Sequence, residues 1–198
     1  MEGTAPAFIA FTAAILVGFT SHFVAEDYRR FRDGQAVAAA LAGELRSIIS
    51  VLPDLFNSLI AIKNITESQQ GFFLPEFPAP TSPMFEANAS KIGLLGPELA
   101  GDVAFIYDQI RAFKTSFHLL SKHHDEMPLP SISALVGRCI RLIETNEVGA
   151  GALIENLKAS SDSGYLMSRP IWTAFFVGIT VISLSSLFGA AYRVLLVS

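Results

Sequence analysis

Residues 99–120 read LAGDVAFIYDQIRAFKTSFHLL. Leu99, Val103, Ile106, Ile110, Phe113, Phe117 and Leu120 recur at alternating intervals of four and three, which lines one face of a helix with apolar side chains. A second run follows the same alternation through Ile132, Val136, Cys139, Ile143, Asn146, Ala150, Leu153 and Leu157. Between the two runs, His123 to Pro130 forms a short Pro-containing turn, so the pair reads as an antiparallel hairpin of heptad-patterned helices. Asn146 falls on the seam, where a polar residue is expected to fix register rather than bind a ligand. Gly149 and Gly151 beside it favour a loosened helix or close packing.

Upstream, Val37, Leu41, Leu45, Ile48, Leu52, Leu55, Leu59 and Ile62 define a third apolar stripe. Ala36, Ala40, Gly43 and Ser47 form a small-residue stripe beside it, and Pro53 is expected to bend or restart the helix. The expected fold is all-α: an antiparallel three-helix bundle, or coiled-coil-like hairpin, flanked by two transmembrane helices. The expected bundle helices lie at about 26–66, 84–91, 97–122 and 131–160, with a Pro-rich loop over 67–83.

The flanking helices come from two uncharged runs, Gly3 to Ala25 and Pro170 to Tyr192, extending to Arg193. Apart from Glu2 and Arg193, every charged residue lies between them. Each run is long enough as a helix to cross a hydrocarbon core of about 30 Å. Overall the chain is 51% hydrophobic and 16% charged, whereas soluble domains carry about 25% charged residues. The first run has an acidic start, Met-Glu-Gly-Thr, and is too long for the apolar region of a signal peptide, so it reads as an uncleaved anchor.

Arg29, Arg30 and Arg32 follow the first run, while Lys158 and Arg169 precede the second. By the positive-inside rule both termini lie outside and residues 26–169 form a cytoplasmic domain, which in a bacterium means a multi-pass inner-membrane protein. The three arginines are placed to contact lipid headgroups, each contributing about 1 kcal/mol near an anionic leaflet. The Asn64-Ile-Thr66 and Asn88-Ala-Ser90 glycosylation patterns are then chance matches. Ala10, Ala14 and Gly18 in the first run, with Ala174, Gly178, Ser185 and Gly189 in the second, form small-residue stripes suited to span–span packing. His22 reads as an interfacial residue at the inner end of the first span.

The chemistry-bearing residues do not assemble into a recognisable site. His118, His123, His124, Asp125 and Glu126 cluster in sequence, but adjacent histidines in a solvent-facing turn do not converge on a metal. Cys139 lies on an apolar stripe, where a packed thiol is inert. There is no Gly-x-Ser-x-Gly, phosphate-binding Gly-rich loop or His-Glu-x-x-His. No catalytic residue, cofactor or metal is expected. The formal charge of −4 argues against nucleic acid as a partner.

The segment from Pro83 to Leu99 packs glycines, prolines and Asn88 into a helix–turn–helix joint, with Gly93 expected as a left-handed stop and Pro97 as a helix start. From Phe85 to Tyr107, and more weakly from the arginine cluster through Leu45, the chain resembles small bacterial membrane proteins of uncharacterised activity with an N-terminal span and a helical cytoplasmic region. The resemblance implies no reaction. It marks Glu86, Asn88, Lys91 and Gly93 as a partner surface.

The expected function is a noncatalytic two-span membrane protein whose bundle is a scaffold or docking module for a membrane complex. Its partners are the lipid bilayer and either a protein partner or further copies of itself. The alternative is an oligomeric membrane effector or small channel with a sensing bundle. Thr20, Ser21, Thr180, Ser183, Ser185 and Ser186 are only mildly polar, which disfavours a pore.

Overall fold

Helix α1 runs without interruption from Thr4 to Glu67, 64 residues, a length of about 96 Å at the helical rise. In the computed structural model, residues 4–68, 74–76 and 81–168 are described, with side chains described from His22 onward except that of Met167. All regular structure among them is helical: α2 (Pro83–Asn88), a 3-10 segment (Ala89–Leu95), α3 (Pro97–His123), a 3-10 turn (His124–Glu126), α4 (Leu129–Asp162) and α5 (Tyr165–Ser168). Two units divide the chain, Met1–Ser161 and Asp162–Ser198. In the described part of the second, α5 is a single turn in which the Ser168 amide donates to the Gly164 carbonyl at 3.0 Å.

Pro53 lies inside α1. It lacks the N–H that would reach the Ile49 carbonyl, yet the helix neither ends nor restarts there. One stretch of α1, within His22–Glu67, is long and apolar enough to cross a membrane by length and composition. Its mean hydropathy is 1.5 and only 11% of it is buried. The second expected span, from Pro170, lies outside the described residues.

The order of core contacts gives the helix directions in the first unit. Just past its midpoint, α1 buries Val37, Ala38, Leu41, Ala42 and Leu45 against Val103, Ile106 and Tyr107 of α3 and Ala150, Leu153, Ile154 and Leu157 of α4. Further along, Leu59 packs with Leu120 of α3 and with Ile132, Val136, Cys139, Ile140 and Ile143 of α4. Thus α1 and α3 run parallel, and α4 runs antiparallel to both. The chain must travel back along the bundle between Glu67 and Pro97, and its described residues 74–76 and 81–96 form a strap that meets His124 at Leu74 and Glu44 at Phe85.

The strap finishes in a tight joint. Gly34 of α1 sits against the Leu94 backbone: a Cβ on Gly34 would lie 3.1 Å from the Leu94 carbonyl oxygen. The left-handed residue is Gly96, at φ 85°, not Gly93 as the sequence suggested. The reason is that the helical path does not stop at Gly93 but tightens into a 3-10 segment through Leu95. Gly96 then turns the chain into Pro97, whose fixed φ suits the first turn of α3.

Candidate functional site

The core is interrupted halfway along the bundle. No residue of α1 between Leu45 and Leu59 is buried, none of α4 between Ile143 and Ala150, and of α3 between Tyr107 and Leu120 only Ser116. These gaps fall at one level and leave a cavity of about 580 Å³ that opens to solvent. Leu52, Leu55, Ile110, Phe113, Phe117 and Leu142 are among the side chains lining it. The rings of Phe113 and Phe117 lie 6.0 Å apart and nearly parallel, at 9°. Val51, 56% exposed, stands on its rim.

Asn146 also lines this cavity. Its side-chain amide donates to the Leu142 carbonyl of its own helix at 2.8 Å. It is half-buried and satisfied one turn back, so the expected register-fixing role across the seam is not what the structure shows. A polar residue on a heptad seam needs a facing partner to fix register, and at this level the helices do not close.

Beside the apolar cavity lies a smaller pocket of about 230 Å³, lined by residues that include Ser82, Glu86, Arg111 and Thr115. Lys114 and His118 line both spaces. With Arg111 they occupy one face of α3 at helical spacing. The Lys114 ammonium donates to the Thr81 carbonyl at 2.6 Å and to Ser82 Oγ at 2.8 Å. Burial lowers its pKa, opposed by the nearby Glu44 and Glu86 carboxylates.

Glu44 organises the joint, a role that the sequence patterns do not indicate. Its carboxylate accepts from the Met84 amide at 3.0 Å, the Phe85 amide at 3.1 Å and Tyr107 Oη at 2.7 Å. The two amides belong to the first turn of α2, whose donors have no partner inside the helix. The Phe85 ring stacks on Tyr107 at 4.1 Å and 15°. Burial, and then the Glu44 carboxylate, push the Tyr107 phenol well above its ordinary pKa, so it stays a neutral donor. The carboxylate thus ties α1, α2 and α3 together.

The α3–α4 turn is not wholly solvent-facing. His124 is buried, with 7% exposure, while Asp125 and Glu126 are exposed. Its Nε2 accepts from the Leu74 amide at 3.2 Å, which leaves Nδ1 as the protonated nitrogen donating toward the Ser121 carbonyl at 3.3 Å. In that tautomer the Asp125 contact at 3.3 Å is not an ion pair. The histidine fastens the strap to the end of α3. Its partner lies 50 residues earlier in the chain, which adjacency in sequence does not reveal. Among the described residues no group of three or more His, Cys, Asp or Glu is placed to hold a metal ion. Cys139 is fully buried, and burial pushes its thiol up to about 11.

The remaining candidate residues are spread over the molecule. Arg29, Arg30 and Arg32 are exposed on α1. Arg29 pairs with Glu26 at 2.8 Å, and Arg32 donates to the Gln35 side-chain carbonyl at 3.3 Å. Glu86, Lys91 and Gly93 are exposed and Asn88 is partly so. Glu86 accepts from the Ser82 amide at 3.2 Å, and Asn88 donates to the Met84 carbonyl at 2.8 Å, so both brace α2 itself. Gly18 is exposed on α1. The side chains of Ala10 and Ala14, and all of Ala174, Gly178, Ser185 and Gly189, lie outside what is described. No family model, curated protein or solved structure matches this chain.

Proposed function

We propose that the chain is a noncatalytic, two-span inner-membrane protein whose helical bundle is held at the cytoplasmic surface and presented to a protein partner. The observation that carries this reading is the continuity of α1. The apolar N-terminal run and the bundle core belong to one helix, so fixing the first in a bilayer fixes the second. A second observation supports it: the Gln35 side-chain amide donates to the Ser161 carbonyl at 2.7 Å. The last residue of the first unit therefore lies beside the segment of α1 that leads out of the N-terminal run. A chain that leaves the bundle at that end suits a return to the same membrane.

Single cysteines at Ser68 and Ser198, in a Cys139→Ser background, test the topology. They are expected to label from opposite faces of the membrane. Crosslinking in the native membrane, followed by identification of the captured protein, tests the docking role. Release of the intact chain by lysis without detergent would sink the tether, and a symmetric homo-oligomer that conducts ions in bilayers would sink the docking role.

A further inference from the structure

The interrupted core has the dimensions and the chemistry of a site for one acyl chain. Along α1 its lining extends from Leu45 to Leu55 and along α3 from Ile106 to His118, which is about 15 to 18 Å at the helical rise. One leaflet of a hydrocarbon core of roughly 30 Å is about 15 Å deep, so the cavity is about as long as an acyl tail is deep in a leaflet. Its volume of about 580 Å³ falls within the range of about 300–1,000 Å³ typical of small-molecule sites. An apolar space of this size between helices gains by being filled, because a ligand in it removes the apolar lining from water.

The polar groups are asymmetric. Where the cavity meets the smaller pocket stand Lys114 and His118, with Arg111 one turn earlier on the same helix. Two of the three N–H donors of Lys114 are taken by Thr81 and Ser82. Arg111 is only loosely paired with Asp108, at 3.7 Å. Of the acidic residues, Glu86 lines the smaller pocket, where it is engaged by the Ser82 amide; Glu44 stands near Lys114, engaged by the Met84 and Phe85 amides and the Tyr107 phenol; and Glu147 lines the cavity from α4. With the Glu86 and Glu44 carboxylates already held by amide or phenol donors, Lys114 and Arg111 are the cationic groups facing the smaller pocket, and they suit one anionic head.

We propose that the bundle binds a single-chain fatty acid, its tail lying along the cavity between the two core clusters and its carboxylate at Lys114 and His118. The site lies wholly within the bundle, so this inference does not depend on how many spans the chain has.

The test uses the full chain in phosphatidylcholine nanodiscs, with a palmitate analogue carrying a mid-chain diazirine and peptide mapping after irradiation. Labels are expected on peptides containing Leu52, Phe113 and Leu142. Excess palmitate is expected to suppress them about tenfold more effectively than methyl palmitate, because the ester cannot accept a charge-assisted hydrogen bond as an anion. Lys114→Gln is expected to abolish that difference. Ala150→Phe, which fills the cavity from α4, is expected to reduce labelling at the same positions, with far-UV circular dichroism reporting retained helix. Labelling confined to the N-terminal run and residues beyond Arg169, reflecting partition into the bilayer, would overturn the proposal. So would equal competition by acid and ester on the unmodified chain, which means a neutral apolar ligand; this comparison decides the matter even if a variant fails to fold.

Discussion

The two ends of the bundle and its middle are built from the same three helices with the same apolar spacing, yet they pack differently. At the first cluster, Leu41, Leu45, Val103 and Leu157 are fully buried, and the joint carried by Glu44 draws α2 and the 3-10 segment over them. Halfway along, Leu52, Leu55, Ile110 and Phe113 continue the stripes but are only half-buried. Spacing decides which way a side chain points. Whether the facing helices meet around it depends on residue volumes and on what braces them at that level.

The largest expected effect tests this contrast. Leu41→Ala should cost about 2–5 kcal/mol, as for other buried leucines, whereas Leu52→Ala, beside space that is already empty, should cost no more than about 1 kcal/mol because little transfer energy is at stake. Denaturant titration of the full chain in one detergent, followed by circular dichroism, measures both; equal losses would mean that the middle is closed in solution. Next comes Glu44→Ala, which leaves two amides and a phenol without their charged acceptor. About 2–3 kcal/mol is expected, together with faster amide exchange at Met84 and Phe85. If exchange there is unchanged, the carboxylate is not what holds the joint.

Two glycines on α1 should respond with opposite signs. Gly34→Val drives a branched side chain into the Leu94 carbonyl and should lose about 1–3 kcal/mol. At Gly43 nothing described lies within 4 Å of an added Cβ, so Gly43→Ala should gain up to about 1 kcal/mol from helix propensity. Thermal unfolding of the two variants against the parent gives both signs. At the other end of the bundle, His124→Leu keeps the apolar volume but removes the acceptor of the Leu74 amide. About 1 kcal/mol is expected, with faster exchange at Leu74.

The smallest effect concerns Cys139 and alkali. Its thiol is raised in the folded state to about 11 from an ordinary 9.0, so the folded chain holds a proton that the unfolded chain has released. The associated stability is complete below about pH 9 and is lost as pH rises through about 11. Stability measured over that window should fall, and Cys139→Ala should flatten the slope.

How much of this was legible in the residues follows from the range of each interaction. Helix content and the inward stripes are local, and Val103, Ile106, Leu120, Val136 and Leu157 could be marked as core by spacing alone. The choice of Gly93 over Gly96 as the left-handed position failed because both glycines precede Pro97 within one turn. Only the extension of the 3-10 path decides between them. Glu44 contacts residues about 40 and 60 positions away in the chain, and nothing in its neighbourhood distinguishes it from a solvated helix carboxylate. His124 appeared to belong to a solvated turn, because its buried partner, the Leu74 amide, lies 50 residues earlier. The cavity was invisible for a related reason: a stripe of leucines and phenylalanines has the same sequence whether or not the facing helices close on it.

The unbroken course of α1 has a rotational consequence. Within one helix, each residue inserted between Ala25 and Val37 turns everything before it by about 100° relative to everything after it, while seven residues return it to within about 20°. The azimuth of the N-terminal run is thus geared to that of the bundle, and any torque on the first appears at the second undiminished by a hinge.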